Sequence, residues 1–532
     1  MLSSGIADFL RIIVDVVLLS FAAALLLTPL VILSLWFYDR FIQQKHAVRR
    51  NFPLLGRFRY LFEHFGEFFR QYFFAMDREE LPFNRAQRSW VYRAGKDLST
   101  MVPFGSTKNM LQPGRVIFLN DPYPTLEKNR AETQPMMIGP HARQPYVTSA
   151  LHNISGMSYG ALSKPALQAL SRGAQRAGCW LNTGEGGLSQ WHLEGGCDLV
   201  FQIGTAYYGV RDQDGLLSDD RLRAVANHSQ VKMFEIKLSQ GAKPGKGGIL
   251  PAAKVSREIS EIRGIPMGQP SVSPNRHPEI DSAEDLLDMI ERVRSVTGKP
   301  VGIKTVIGSW SWLEDLFLEI HQRGIESAPD FITIDSGDGG TGAAPMALMD
   351  DVGLHLAEAL PVVVDLLNGY RLRERVRVIA SGKLITPNMV AWAIALGADI
   401  CVSARGYMFS LGCIQAMQCH RNTCPTGVTT HNRRLQRGLV PTEKATRVAS
   451  FNRHLVKEVE VIAHACGVTE PRQLRRHHAR MVVGSSSVPL DQLWPEVPTG
   501  YYLENGRRAA MEPMFRFPQY PGGKPAMVPS DP

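Results

Sequence analysis

Three of the seven cysteines in this 532-residue chain fall in one short string, GCIQAMQCHRNTCPTG, from Gly412 to Gly427. Cys413, Cys419 and Cys424 stand at unequal spacings, and Pro425 follows the last of them. An iron–sulfur cluster needs soft thiolates converging from several directions, which an irregular loop followed by proline supplies. Three ligands suit a three-iron cluster, or a four-iron cluster with another group on one iron. Zinc is a second possibility, with His420 as fourth ligand, but close pairs of the C-x2-C kind are missing. The plainest alternative is three buried thiols acting as small apolar side chains.

Other strings pair glycine with charge. NTGEGG, Asn182 to Gly187, sets Glu185 between glycines that let backbone approach a flat ring or a substrate; the alternative is a charged residue on a tight turn. KLSQGAKPGKGG, Lys237 to Gly248, and the later Arg263 supply cations suited to a dianion, where the alternative is solvated surface charge. Gln202 and Lys304 interrupt apolar runs, and a buried ion pair is the other reading of Lys304. DGGTG, Asp338 to Gly342, offers backbone donors through Gly339, Gly340 and Thr341, although one glycine string alone is weak evidence.

These strings need a scaffold. Eight runs read as strands: Tyr146–Ile154, Cys179–Thr183, Leu199–Ile203, Met233–Leu238, Val301–Val306, Phe331–Asp335, Val376–Ala380 and Ile400–Ala404. Helical stretches such as Lys164–Ala177 and Ala283–Val296 alternate with them, which predicts an α/β fold, a TIM (β/α)8 barrel. A doubly wound sheet is the rival, but the glycine-rich strings follow many strands instead of one switch point. The loops after strands seven and eight, with Ser381, Gly382 and Lys383 and with Arg405 and Gly406, are the usual phosphate cradle of such barrels. The cysteine loop follows strand eight and so belongs to the same face.

Ile12 to Phe37 is almost continuously apolar and long enough for one transmembrane helix, a buried core helix being the alternative. It lacks the basic start and cleavage site of a signal peptide. Arg40, Lys45, Arg49, Arg50, Arg57 and Arg59 follow, which predicts a single-pass inner-membrane protein with its catalytic body in the cytoplasm. The phenylalanines and tyrosine from Phe62 to Phe74 predict an amphipathic helix on the membrane surface or against the body. The expected segments are a membrane anchor over 1–40, a basic and aromatic connection over 41–145, the barrel over 146–440, and a C-terminal extension over 441–532. That extension opens with a helix over Thr442–Ala465 and ends in a loose tail from Pro513. Net charge is +9 with a pI near 9.2, yet no basic run interleaves with aromatics in the body, so no nucleic-acid partner is expected. An odd cysteine count with three in one loop argues against a disulfide framework.

Taken in order, GMSYGALSK, NTGEGG, KLSQGAKPGKGG, DGGTGAAP, ASGK and CPTGV resemble the FMN-binding synthase domain of glutamate synthase over roughly Leu151 to Leu439. The resemblance implies FMN and a 3Fe-4S cluster on Cys413, Cys419 and Cys424. It implies 2-oxoglutarate held by Gln240, Lys243 and Arg263, with Glu185 near the reacting carbon and Glu185 and Lys243 as the catalytic pair. Met157, Ser158 and Tyr159 would meet the flavin ring, and Gln202 and Lys304 its polar edge, where a lysine stabilises negative charge on the reduced ring. The reaction implied is condensation of a 2-keto acid with ammonia or an amine to an imine, which FMN hydride reduces to an amino acid. Two residues depart from the family pattern: Ile249 replaces a glutamine near the substrate, and Lys246 a glutamate, so the keto acid itself is open. No G-x-G-x-x-G follows a strand, which points to ferredoxin or a reductase subunit as electron donor. The chain opens Met-Leu-Ser and not with the family's glutaminase cysteine, so ammonia is expected free, from a separate glutaminase subunit, or replaced by methylamine in an N-methylglutamate synthase. A membrane-tethered flavin and iron–sulfur electron-transfer protein is the alternative function.

Overall fold

The structure, a computed structural model, describes residues 2–507; the tail expected from Pro513 lies outside them. The chain divides into two compact units, Met1–Gln87 and Arg88–Pro532.

The first unit begins with one helix over Leu2–Phe37. The segment Asp8–Ile42, with mean hydropathy reaching 2.7, is long and apolar enough to cross a membrane by length and composition. Its few hydroxyls are turned inward: Ser20, Thr28 and Ser34 donate to the carbonyls of Val16, Ala24 and Leu30 at 2.6, 2.6 and 2.8 Å. A hydroxyl bonded back to its own helix presents no unsatisfied donor to an apolar surrounding. Past the helix, the buried carboxylate of Asp39 accepts from Arg49 at 3.1 Å and from Arg57 at 2.6 Å, which pins the turn into a second helix, Leu55–Phe69. Helical spacing puts Phe58, Phe62, Phe65, Phe69 and, through the wider π-helical continuation Arg70–Phe74, Phe73 along one side, all exposed.

The second unit is built on a closed barrel of eight parallel strands. They are β1 (His152–Ile154), β2 (Leu181–Asn182), β3 (Leu199–Ile203), β4 (Val231–Lys237), β5 (Val301–Val306), β6 (Phe331–Asp335), β7 (Arg377–Ser381) and β8 (Ile400–Ser403). β8 pairs with β1 through Val402 and Asn153, which closes the ring. The expected first strand, Tyr146–Ile154, is in fact two. Tyr146–Thr148 pairs antiparallel with Met136–Ile138, and the chain bends before His152 enters the barrel. Ile138 and Tyr146 of that hairpin share one buried cluster with Trp180, Val200, Met233, Phe331, Ile379 and Ile400. The hairpin is thus a plug for the barrel interior, and each large side chain it helps bury is worth about 1.5–3 kcal/mol.

The helices pack outside with local reasons for their ends. Lys164–Ala177 starts where the Ser163 hydroxyl accepts from the Ala166 amide and stops at Gly178, whose φ of 67° an L side chain rarely adopts. The long helix Pro441–Ala465 crosses it closely: a Cβ on Gly173 would stand 2.5 Å from Val448 Cβ, so only glycine permits the approach. An antiparallel sheet of Val116–Phe118, Ala479–Val483 and Ser486–Pro489 ties the segment before the barrel to the segment after it. The carboxyl ends of the strands are left for the loops that carry the charged and glycine-rich strings.

Candidate active site

A cleft of about 950 Å³, its open mouth included, lies at the carboxyl ends of the barrel strands. Glu185, on the loop after β2, reaches it through a gap that two glycines leave. A Cβ on Gly204 would stand 2.6 Å from Glu185 Cβ, and one on Gly248 would stand 2.1 Å from Glu185 Oε1. Lys237, the last residue of β4, donates to Glu185 Oε2 at 2.7 Å and to Gln240 Oε1 at 2.8 Å. Gln240 in turn donates to Thr341 Oγ1 at 3.1 Å, which links the loop after β4 to the loop after β6. Burial pushes the Glu185 carboxyl up, but Lys237, Lys243 and Arg263 outweigh it and hold the group below the ordinary carboxylate range. Lys243 donates to the Gly247 carbonyl at 3.4 Å, and burial pushes its ammonium down to about 8. Arg263 ends the helix Arg257–Arg263, which the Ser256 hydroxyl caps and Gly264 terminates with φ 64°. Its guanidinium lies 5.1 Å from the Tyr208 ring centroid and donates to Ser271 Oγ and the Tyr159 carbonyl, both at 3.3 Å, while the buried Nε has no partner.

Met157, Ser158, Gln202, Gly340, Thr341 and Arg405 line the same cleft. The backbone is open there because Gly184, at φ 65°, sits where a Cβ would be 2.5 Å from the Ser158 amide nitrogen. Gln202 is aimed by a buried carboxylate: Glu235 Oε1 accepts from Gln202 at 2.7 Å and from Asn182 at 2.8 Å, and its Oε2 accepts from Thr333 at 2.7 Å. The remaining expected residues stand outside the cleft wall. Tyr159 donates to Glu258 at 2.6 Å, Ser381 to Asp335 at 2.7 Å, and Lys383 to Asp338 at 2.6 Å. Gly339 and Gly382 pack against Ser336, and Gly406 against Ser403 and Phe451. Lys304 pairs with Asp335 at 3.4 Å; burial opposes its charge, and Asp335 with Glu235 outweighs burial. In register Lys304 stands beside Lys237 of β4, so it underlies the polar floor from the next strand.

Cys419 lines the cleft, while Cys413 and Cys424 are buried behind it. None is in a disulfide, and all three thiols lie within electrostatic reach of Arg405, whose Nη1 is 3.7 Å from Cys419 Sγ. Among the described residues no three His, Cys, Asp or Glu side chains are grouped to hold a single metal ion. Gln415, Met417 and Asn422 take positive φ values of 58°, 51° and 60°, a strain that persists only where the surroundings over-determine a loop. Lys254 anchors it: its buried ammonium, which burial pushes down to about 8, donates to the carbonyls of Cys419 at 2.6 Å and Thr429 at 2.7 Å.

Lys237 and Lys254 line the cleft, Glu235 and Asp335 bind the buried ends of Gln202 and Lys304, and sequence reasoning assigned none of the four a role. For Lys237, Glu235 and Asp335 a signal existed, since an ionisable side chain inside an apolar strand must find a partner. Nothing local distinguishes Lys254 from a surface lysine.

A family model described as the conserved region in glutamate synthase matches residues 115–469. The chain is 39% identical over 503 residues to the glutamate synthase large subunit-like protein YerD of Bacillus subtilis, covering 87% of this chain and 95% of that one. It is 34% identical over 323 residues to the archaeal-type glutamate synthase [NADPH] of Thermotoga maritima, spanning 60% of each. Among solved structures, mandelate oxidase with (S)-4-hydroxymandelic acid aligns over 74% of this chain and 99% of its own, at 16% identity and a TM-score of 0.44.

Proposed function

Because the chain belongs to the glutamate synthase family of oxidoreductases, we propose that it reductively aminates 2-oxoglutarate or a similar dianionic 2-keto acid with ammonia or an amine. One observation carries this reading: a single cleft gathers Lys243, Arg263 and the Glu185–Lys237 pair against the glycine-lined wall and Cys419. The wall fits a flavin, since its glycines leave room for a flat ring and its edge is polar; Met157, Ser158, Gln202, Gly340, Thr341 and Arg405 would hold it. The thiols of Cys413, Cys419 and Cys424 would hold an iron–sulfur cluster. Bound FMN would supply hydride and the cluster would deliver electrons to it, leaving the protein to bind and align.

The side chains suit those tasks. Arg263 presents a planar fork to a carboxylate, and its unpartnered Nε is a donor awaiting an acceptor. Gln240 and Lys243 offer donors for the remaining oxygens of the dianion. A keto acid, ammonium, two electrons and two protons together give an amino acid and water, so the keto oxygen must be protonated as it leaves. Lys243 Nζ can provide that proton. Glu185, held anionic, stabilises the positive charge that develops on the substrate nitrogen. Ile249 gives the cleft one apolar face, which favours, as a second reading, an amine bearing a methyl group. The apolar N-terminal helix supports a tethered position at the inner membrane with the barrel in the cytoplasm.

The test is anaerobic turnover of the full chain in detergent with dithionite, 2-oxoglutarate and ammonium or methylamine. Glutamate or N-methylglutamate is the expected product. If neither forms with both cofactors bound, the electron-transfer reading takes its place. A pH dependence follows from Lys243. Its folded pKa is depressed, so the ammonium charge is present below about 8 and lost as the pH rises through that value. Affinity for 2-oxoglutarate, measured by calorimetry, should fall about tenfold across that range. Lys243→Arg, whose charge persists, should flatten the profile.

A further inference from the structure

A second cavity, of about 960 Å³ with its open mouth included, lies at the end of the barrel opposite the cleft. Arg377, the first residue of β7, and Asp399, the residue before β8, both line it. Its lining holds five arginines and three carboxylates. Two of the arginines have acidic partners: Arg373 donates twice to Asp399, at 3.0 and 2.9 Å, and Arg476 pairs with the buried Asp365 at 2.7 Å. Arg377, Arg472 and Arg475 form no ion pair among the described residues and are tethered by carbonyls instead. Arg377 Nε donates to Met137 at 3.0 Å, Arg472 Nε to Asp399 at 3.0 Å, and Arg475 Nη1 to Arg472 at 2.7 Å. Arg472 Nη1 also donates to the Gln134 carbonyl, so Arg377 and Arg472 are both fixed to the chain around the hairpin strand Met136–Ile138. A carbonyl orients a guanidinium but cancels none of its charge. Arg472 Nη2 is buried and has no partner. Burial works against the Arg472 charge; Glu470 and Asp399 offset only part of that, and Arg377 adds to it. Glu374 and Glu496 are exposed, where solvent screens them.

We propose that this cavity is a binding site for a small molecule bearing phosphate groups, held by Arg377, Arg472 and Arg475. Guanidinium forks match phosphate oxygens two at a time, and three cations without ion pairs suit an anion of more than one charge. Met136, Val364, Ile394 and Leu474 supply an apolar wall, which suits an organic body behind the phosphate. The strands themselves separate this cavity from the cleft at their carboxyl ends, so a ligand here does not compete with one there.

The test is calorimetry on the full chain in detergent, with inorganic pyrophosphate and adenosine diphosphate as probes. Saturating FMN and 2-oxoglutarate are present throughout to keep the probes out of the cleft. Both probes should bind the wild type saturably. Equal affinities would assign recognition to the phosphate groups alone, and a tighter nucleotide would add the apolar wall. Arg475→Glu, at an exposed position, should weaken binding at least about tenfold, and Arg377→Gln should do likewise. Circular dichroism and the melting temperature of both variants should match the wild type, which shows that they are folded. Lys243→Gln, in the cleft, should bind the probes as the wild type does. Absence of saturable binding by the wild type, undiminished binding by both arginine variants, or loss of binding in Lys243→Gln overturns the site. The comparison needs no turnover, so it stands or falls apart from the catalytic reading.

Discussion

Glu185→Gln should lower the turnover number by about 100- to 10,000-fold with little change in the keto-acid KM. The amide keeps the shape of the carboxylate in the gap between Gly204 and Gly248 and removes only its charge. What is lost is the anion that meets positive charge on the substrate nitrogen, an interaction strongest in the transition state. Lys237 then keeps Gln240 as a hydrogen-bond partner but loses its ion-pair partner, and breaking a buried pair costs about 3–5 kcal/mol of stability. Glu185→Asp separates the two effects: it retains charge on a shorter arm and should recover part of the rate. The checks are steady-state kinetics together with the flavin's visible absorption, which should persist in both variants. Undiminished turnover by the Glu185→Gln enzyme would remove Glu185 from the chemistry.

Cys419→Ser should abolish the paramagnetic signal of the oxidised cluster and stop carrier-driven turnover. A serine hydroxyl is a hard, weakly acidic donor and does not replace a thiolate on iron. Cys413→Ser and Cys424→Ser should do the same. Cys197 and Cys466, buried elsewhere and in no such loop, serve as controls whose serine variants should keep the signal. Electron paramagnetic resonance of the purified, air-oxidised protein decides the matter. An unchanged spectrum from the Cys419→Ser protein would exclude that residue as a ligand.

The barrel was legible because its signals are local. Leu199–Ile203, Val301–Val306 and Phe331–Asp335 are apolar runs bounded by turn residues, and they form strands over those spans. Tyr146–Ile154 misled because one β-rich run serves two sheets, and only pairing across the fold breaks it before His152. Of the candidate site, the close approach around Glu185 was legible because glycines mark it, and the cysteines stood out by their grouping in one loop alone. The site was illegible where function depends on a partner distant in sequence. Lys237 looks like a strand-end cation until Glu185 comes within 2.7 Å of it, and Lys254 looks like surface charge until two carbonyls of the cysteine loop close on its ammonium.

The carboxylate of Glu235, sealed inside the barrel, accepts from Asn182, Gln202 and Thr333, which reside on three other strands. A change at any one corner strands the donors or acceptors of the other three. A library that varies these positions singly will score each as intolerant, whereas one that varies all four at once can reach an alternative filling of the same space. In descent these four positions should mutate as a block.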